Sequence, residues 1–192
     1  MEIAKDKILI LFSGGIDSTA LLYYYKSKEY YIKCLHIQYN QSSAKSEYES
    51  VKKICDYYKL SFEVISLSFS LQKRFNEYIG RNALFVLIAL SCEFLEDYNR
   101  IAIGINATSH YYDCSNAFIK DIQSIIDGYY AGTKAIEAPF LNLSKYEIIQ
   151  YCFLNKIPID LTYSCLMQNS PPCGECGACR DRRIIDEIKR SL

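Results

Sequence analysis

The stretch LILFSGGIDSTALLYYY, residues 9–25, decides the fold. It runs from an apolar, β-like segment through two glycines into an apolar segment with helical spacing. A strand that turns directly into a helix is the opening unit of a doubly wound α/β sheet. Ligands of such sheets lie beyond the carboxyl ends of the strands, and the first strand-to-helix turn is a usual place for phosphate. Gly14 and Gly15 allow main-chain geometry and close approach that a side chain would block, while the helix N-terminus offers free amides and a positive dipole end. Ser13 and Ser18 add hydroxyl donors. Asp17 is the odd member, because a carboxylate beside phosphate is repulsive unless a cation lies between them; a magnesium-bound pyrophosphate resolves the conflict. The plainer alternative is an Asp17 that favours the helix dipole and two glycines that make a tight turn. The Walker pattern needs a Gly-Lys-Ser/Thr end and the Rossmann fingerprint a third spaced glycine, and neither is present.

Working outward, strand-like and helix-like segments take turns. KILILF (7–12), IKCLHIQY (32–39), FEVISLS (62–68), RIAIGI (100–105) and a weaker KAIEAP (134–139) read as strands. Helical patterns lie between and after them, at about 17–28, 44–59, 82–97, 115–129 and 144–155. In the fourth, Phe118, Ile122, Ile125 and Tyr129 recur at the spacing of one buried face, opposite a polar face of mostly Lys, Asp and Gln. In the fifth, Ser144 followed by Glu147 fits a capping box. Strands alternating with helices require crossover connections, so the expected fold is α/β, a doubly wound parallel sheet of about five strands. It is expected to occupy residues 1–160. The texture changes after residue 160, and 161–192 reads as a small module with a closing helix, packed on the same domain.

The composition narrows the function. The 192 residues carry 22 Lys and Arg against 22 Asp and Glu, so there is no global basic field to hold a nucleic-acid backbone. No apolar run approaches the roughly 18 residues that a membrane-spanning helix needs, and no small-residue cleavage site follows the N-terminus. No direct nucleic-acid partner, no membrane and a cytoplasmic location are expected. Of nine cysteines, Cys34, Cys55, Cys92, Cys114 and Cys152 are scattered through ordinary segments. The others, Cys165, Cys173, Cys176 and Cys179, have the spacing C-x7-C-x2-C-x2-C. Four thiolates complete a tetrahedral zinc ion and leave no position for catalytic water, so the zinc would be structural. A four-iron cluster is the alternative, and a redox-active CxxC pair a plainer one.

SGGIDS resembles the SGGxDS signature of the PP-loop, or N-type, ATP pyrophosphatases, whose adenine nucleotide alpha hydrolase-like fold matches the sheet expected here. The resemblance implies cleavage of ATP to AMP and pyrophosphate with adenylation of a substrate oxygen. It also implies ATP contacts from Phe12, Ser13, Gly14, Gly15, Asp17 and Ser18, with Asp17 on magnesium and Ser13 and Ser18 sharing the catalytic work.

Within that superfamily the chain is similar to the 7-cyano-7-deazaguanine synthases, the QueC family, over most of its length. The similarity rests on SGGIDST, LHIQYNQ, GRNALF, GIN, YDCSNAFI, APFLNLSKYEII, LTYSC and CGECGACRDRR, in that order. Members are α/β ligases, often homodimers, that adenylate 7-carboxy-7-deazaguanine, accept ammonia to give an amide, and use a second ATP to reach the nitrile. Carried over, Gly104 would let adenosine lie close, and Arg81, Asn82, Asp113 and Cys114 would approach the deazaguanine. Asp113 suits a guanine-like donor edge, but it equally suits a helix cap before SNAFI; Asn82 shares that ambiguity. Arg182 and Arg183 match a closing basic pair or are solvated charges. His36 and His110 are not read as essential bases.

Three departures stand out. Members usually have Asp-Cys-Arg-Pro where this chain has DCSN, placing Ser115 where an Arg is expected. They have Gly-Gln-Arg-His where it has NQSS, and a longer insertion where it has 69–79. These departures point to an altered acyl acceptor, partner or substrate within a retained activation chemistry. The function that the resemblance implies first is adenylation of a 7-deazaguanine carboxylate with ammonia as acceptor. One alternative is an antiphage-defence relative that couples a deazaguanine to an amine of a partner protein. Another is a non-catalytic, zinc-stabilised nucleotide-binding module. A homodimer or a complex with a partner protein is expected.

Overall fold

The computed structural model describes residues 6–74, 77–167 and 170–191. Five parallel strands form the main sheet: β1 (Lys7–Leu11), β2 (Tyr31–Gln38), β3 (Phe62–Ser66), β6 (Arg100–Ala102) and β7 (Ala135–Glu137). Two short antiparallel strands, β4 (Lys73–Arg74) and β5 (Glu77–Tyr78), pair as a separate two-stranded sheet within the segment read from sequence only as a shortened insertion. The order of the main sheet is β3-β2-β1-β6-β7. The chain winds outward from β1 on one side, then returns and continues on the other, so the direction reverses between β1 and β6. That reversal opens the crevice in which open α/β sheets bind ligands.

The strand β1 is apolar at consecutive positions because it is covered on both faces. Ile8, Ile10 and Phe12 join one core cluster, with Leu21, Leu22 and Tyr25 of α1 (Ile16–Ser27), Val51 and Ile54 of α2 (Ala44–Tyr58) and Ile148 and Ile149 of α5 (Lys145–Leu154). Leu9 and Leu11 join the other, with Val86 and Ala89 of α3 (Arg81–Leu90) and Phe118, Ile122 and Ile126 of α4 (Asn116–Tyr130). The last helix, α6 (Gly177–Ser191), contributes Ile185 and Ile188 to the first cluster.

Two helices differ from their sequence reading, and β6 ends at Ala102, short of 105. The third helix ends at Leu90, short of 97, and a 3-10 turn follows at Glu93–Leu95. The Ser91 hydroxyl and Cys92 thiol donate back to the carbonyls of Leu87 (2.9 Å) and Ile88 (3.1 Å), the local competition with which such side chains close a helix. In α4 the buried stripe is Phe118, Ile122 and Ile126, while Ile125 and Tyr129 are exposed. The helix is turned to bring Gln123, assigned from sequence to the polar face, against β7. There its Oε1 accepts from Ile136 N (2.8 Å) and its Nε2 donates to Lys134 O (3.0 Å). The edge strand's hydrogen-bonding need sets the rotation.

Among the described residues, no helix is long and apolar enough to cross a membrane.

Candidate active site

The turn after β1 is built around two glycines with different duties. Gly14 adopts φ +74°, and a Cβ there would stand 3.0 Å from Ser50 Oγ and Val51 N and 3.1 Å from Glu47 O, so α2 leaves no room for a side chain. Gly15 is extended and caps α1 without any side-chain hydrogen bond. The hydroxyls of Ser18 (3.1 Å) and Thr19 (2.8 Å) both donate to Gly15 O, and Ser13 Oγ lies 3.1 Å from Ser18 Oγ. Since no side chain caps α1, its first amides remain available to an anion.

These residues border a cavity of about 320 Å³ beyond the carboxyl ends of β1, β2 and β6. Phe12, Ser13, Gly15, Asp17, Ser18 and Gly104 line it, while Gly14 lies behind it. A Cβ on Gly104 would meet Ser18 N at 3.2 Å and Asp17 C at 3.3 Å, so α1's close approach to the end of β6 already demands glycine.

Asp17 is not alone. Lys145 Nζ donates to its two oxygens at 2.6 and 2.7 Å, and Asn106 Nδ2 donates to Oδ2 at 3.1 Å. The buried Asn106 is fixed in turn by accepting from Thr108 N (3.0 Å), and Thr108 Oγ1 accepts from Lys145 N (2.9 Å). Lys145 and Asn106 both line the cavity. Sequence reasoning used Lys145 only as part of the capping-box stretch. Its position carried a signal: it is the first residue of α5, where the helix dipole disfavours a cation, so its charge must have another purpose. Asp181 of α6 is near enough to feel both groups; burial raises its carboxyl above the ordinary range, with Lys145 opposing and Asp17 adding to the shift.

Part of the cavity wall is aromatic, with Tyr39 and Phe85. Tyr39 packs edge-on against Tyr78 (5.1 Å between centroids) and tilted against Phe85 (5.4 Å). Its hydroxyl accepts from Arg81 Nη1 at 3.4 Å. Burial works against the Arg81 charge, yet Tyr39, Asp113 and Glu47 hold the guanidinium above its usual value. Arg81, Asn82 and Cys114 line the cavity and Asp113 does not. Asp113 Oδ2 accepts from Asn82 N (3.2 Å), and Asn82 Nδ2 donates to Asp113 O (3.0 Å). Asp113 thus serves the start of α3, whereas α4 is capped by Ser115, whose Oγ accepts from Phe118 N at 3.1 Å. Burial raises the Cys114 thiol and keeps it protonated.

Asn40 and Gln41 show how NQSS folds in place of Gly-Gln-Arg-His. Asn40 takes φ +58°, a conformation asparagine tolerates better than most residues other than glycine. Gln41 accepts from Tyr39 N (2.8 Å) and donates to Glu47 (2.8 Å). His36 lines the same cavity from β2; its Nδ1 lies 3.0 Å from the Phe12 carbonyl and is therefore the protonated nitrogen.

The sulfur atoms of Cys165, Cys173, Cys176 and Cys179 lie within 4.8 Å of one another, with Cys173 and Cys179 at 3.8 Å. A tetrahedral ion with Zn–S bonds of about 2.3 Å places its sulfurs about 3.8 Å apart, so the set fits a single zinc ion. A four-iron cluster spreads its ligands over separate iron atoms and needs a wider cage. Backbone amides of Cys173 and Cys176 donate to the sulfurs of Cys165 and Cys173 at 3.4 Å, as suits thiolates. Arg182 donates to Thr162 O (3.1 Å), Thr162 Oγ1 (2.9 Å) and Ile159 O (3.3 Å), and Arg183 to Gly174 O (2.8 Å). Both arginines therefore hold the module together rather than facing the cavity.

Comparison with known proteins gives a consistent set of likenesses. Residues 7–77 and 72–184 match the family described as queuosine biosynthesis protein QueC. The chain is 33% identical to the 7-cyano-7-deazaguanine synthase of Prochlorococcus marinus strain AS9601 over 97% of its own length and 96% of that protein. It is 32% identical to that of Sulfurimonas denitrificans, covering 95% and 93%. In fold it is similar to an NMN synthetase from Francisella tularensis, with a TM-score of 0.51, 13% identity, and coverage of 97% of this chain and 78% of that one. An NH3-dependent NAD synthetase from Campylobacter jejuni gives 0.50 and 17%, covering 83% and 68%.

Proposed function

The chain belongs to the QueC family of queuosine biosynthesis proteins, and on that premise we propose that it is an ATP-dependent ligase that adenylates the carboxylate of a 7-deazaguanine, releasing pyrophosphate. The observation that carries this reading is the uncapped start of α1 beside Asp17, in a cavity that also holds a half-buried lysine and an aromatic wall.

A carboxylate is a poor electrophile because its leaving group would be oxide, whereas an acyl adenylate expels AMP. The amides of the loop and of α1, with the hydroxyls of Ser13 and Ser18, would take the charge that grows on the departing pyrophosphate. Asp17 and these hydroxyls form an all-oxygen donor set suited to magnesium, which when bound would neutralise phosphate charge. Lys145 pairs with Asp17 and lines the same cavity, from which it would reach phosphate oxygens. Tyr39 and Phe85 would give a planar base an aromatic wall, and Arg81 would give its carboxylate a cation. Asn82 and Cys114 border the same region, with Asp113 holding Asn82 from behind. No side-chain nucleophile is needed, and ammonia or another amine would complete the reaction.

The test is AMP and pyrophosphate formation from ATP and magnesium, with and without 7-carboxy-7-deazaguanine. Release that requires the acid, and that falls at least about 100-fold in Asp17→Asn, is expected for loss of a charged group acting on the leaving group. Acid-independent release, or none from folded wild type, would overturn the reading.

A further inference from the structure

The Gly14 carbonyl is where the four-cysteine module touches the loop proposed to hold pyrophosphate. It accepts from Tyr163 N at 3.0 Å and from Ser50 Oγ at 2.7 Å. Ser50, buried in α2, also lies 2.8 Å from Leu161 O, so one hydroxyl is shared between the loop and segment 161–163. That segment is held from its other side by Arg182 and leads within two residues to Cys165. Ser46, one turn before Ser50 and on the same face of α2, accepts from Ser170 N at 2.9 Å. Two serines of α2 therefore grip the module, one on each side of its first cysteine ligand.

The geometry of the peptide bond gives this grip a consequence. In a trans peptide the carbonyl and the following amide point in opposite directions. Fixing Gly14 C=O toward α2 and Tyr163 therefore turns Gly15 N–H the other way, toward Ser13 Oγ (3.3 Å) on the cavity wall. A glycine pair has little steric resistance to rotation of the peptide between its members, and rotation would present a carbonyl oxygen where a phosphate is to bind. We infer that Ser50 is a positioning residue that locks the Gly14–Gly15 peptide with its amide toward the anion, and that it ties this lock to the state of the four-cysteine module. The inference rests on the proposed pyrophosphate site.

The experiment is calorimetric binding of inorganic pyrophosphate with magnesium, and separately of ATP, to the full chain before and after zinc removal. Metal content and melting temperature are followed in parallel. Zinc-loaded wild type is expected to bind both ligands; binding of neither would defeat the proposed function itself. Ser50→Ala is expected to retain zinc, bind pyrophosphate five- to tenfold more weakly, about the worth of one buried hydrogen bond, and lose the pyrophosphate-induced shift of the Gly15 amide resonance. Stripping zinc should weaken wild type to the same degree and leave Ser50→Ala unchanged. Ser50→Thr, which keeps the hydroxyl, should recover the affinity. Should the Ala variant fail to hold zinc, Ser50→Cys, close in size with a weaker donor, replaces it and is expected to bind about threefold more weakly than wild type. Undiminished binding in the variant that holds zinc, equal losses in Ala and Thr, or an unchanged loss on stripping in Ser50→Ala would overturn the lock while leaving the pyrophosphate site intact.

Discussion

His36 is a buried imidazole whose Nε2 has no hydrogen-bond partner among the described residues. Burial lowers its pKa, opposed by the Phe12 carbonyl and the Glu47 carboxylate. The unfolded chain has the ordinary value of about 6.5, so above that pH the folded and unfolded forms are both neutral and no stability is lost. As pH falls below about 6.5 the unfolded state takes up its proton first, and stability declines by up to about 1.4 kcal/mol per pH unit until the folded group also titrates. Urea unfolding at pH 7.5 and 5.5 should therefore show a smaller pH-dependent loss in His36→Gln than in wild type. An identical loss in the two proteins would assign the acid sensitivity elsewhere. At the same scale, Asp17 shows how a residue can be legible and its partner not. The motif announces the carboxylate, but Lys145 reaches it from 128 positions away in the chain.

At the scale of single elements, local chemistry predicted some boundaries closely. The capping box at α5 is formed on both sides: Glu147 N donates to Ser144 Oγ (3.3 Å) and Ser144 N to Glu147 Oε2 (2.7 Å). These Ser144 contacts hold the Glu147 carboxyl below its ordinary range. Ser144→Ala should cost about 1 kcal/mol of stability in urea unfolding, with the slope of the transition unchanged. Because Lys145 is the next residue, the variant should also weaken ATP binding; unaltered ATP affinity would show that the ion pair, not the cap, positions the lysine. The α4 stripe shows the limit of such reading. Both stripes are compatible with a helical period, and only the edge strand β7, through Gln123, selects the one containing Ile126.

Across the whole molecule, the two sheet faces are held by separate apolar clusters, and the last helix joins the first of them through Ile185 and Ile188 while its N-terminal part is held by the cysteine cluster and the Arg182 clasp. Zinc removal by a chelator should therefore raise amide hydrogen exchange through residues 162–167 and 170–183 and leave β1 and β2 protected. Uniform loss of protection would instead make the metal a condition of the whole fold.

The sequence by itself determined the alternation of strands and helices, the doubly wound class, the glycine turn and the four-cysteine set. Each is written in local periodicity or in short fixed spacing. It did not contain the pairing of β4 with β5, the end of α3, or the face of α4, the last of which depends on which neighbour takes a polar group. Nor did it contain the site as a constellation. Asp17 with Asn106 and Lys145, Asp113 with Asn82, and Gly14 with Ser50 and Tyr163 are each joined across more than 30 residues of chain. Only the tertiary structure decides such pairs, because a buried donor or acceptor must find a partner in space, and sequence spacing carries no record of which one it finds.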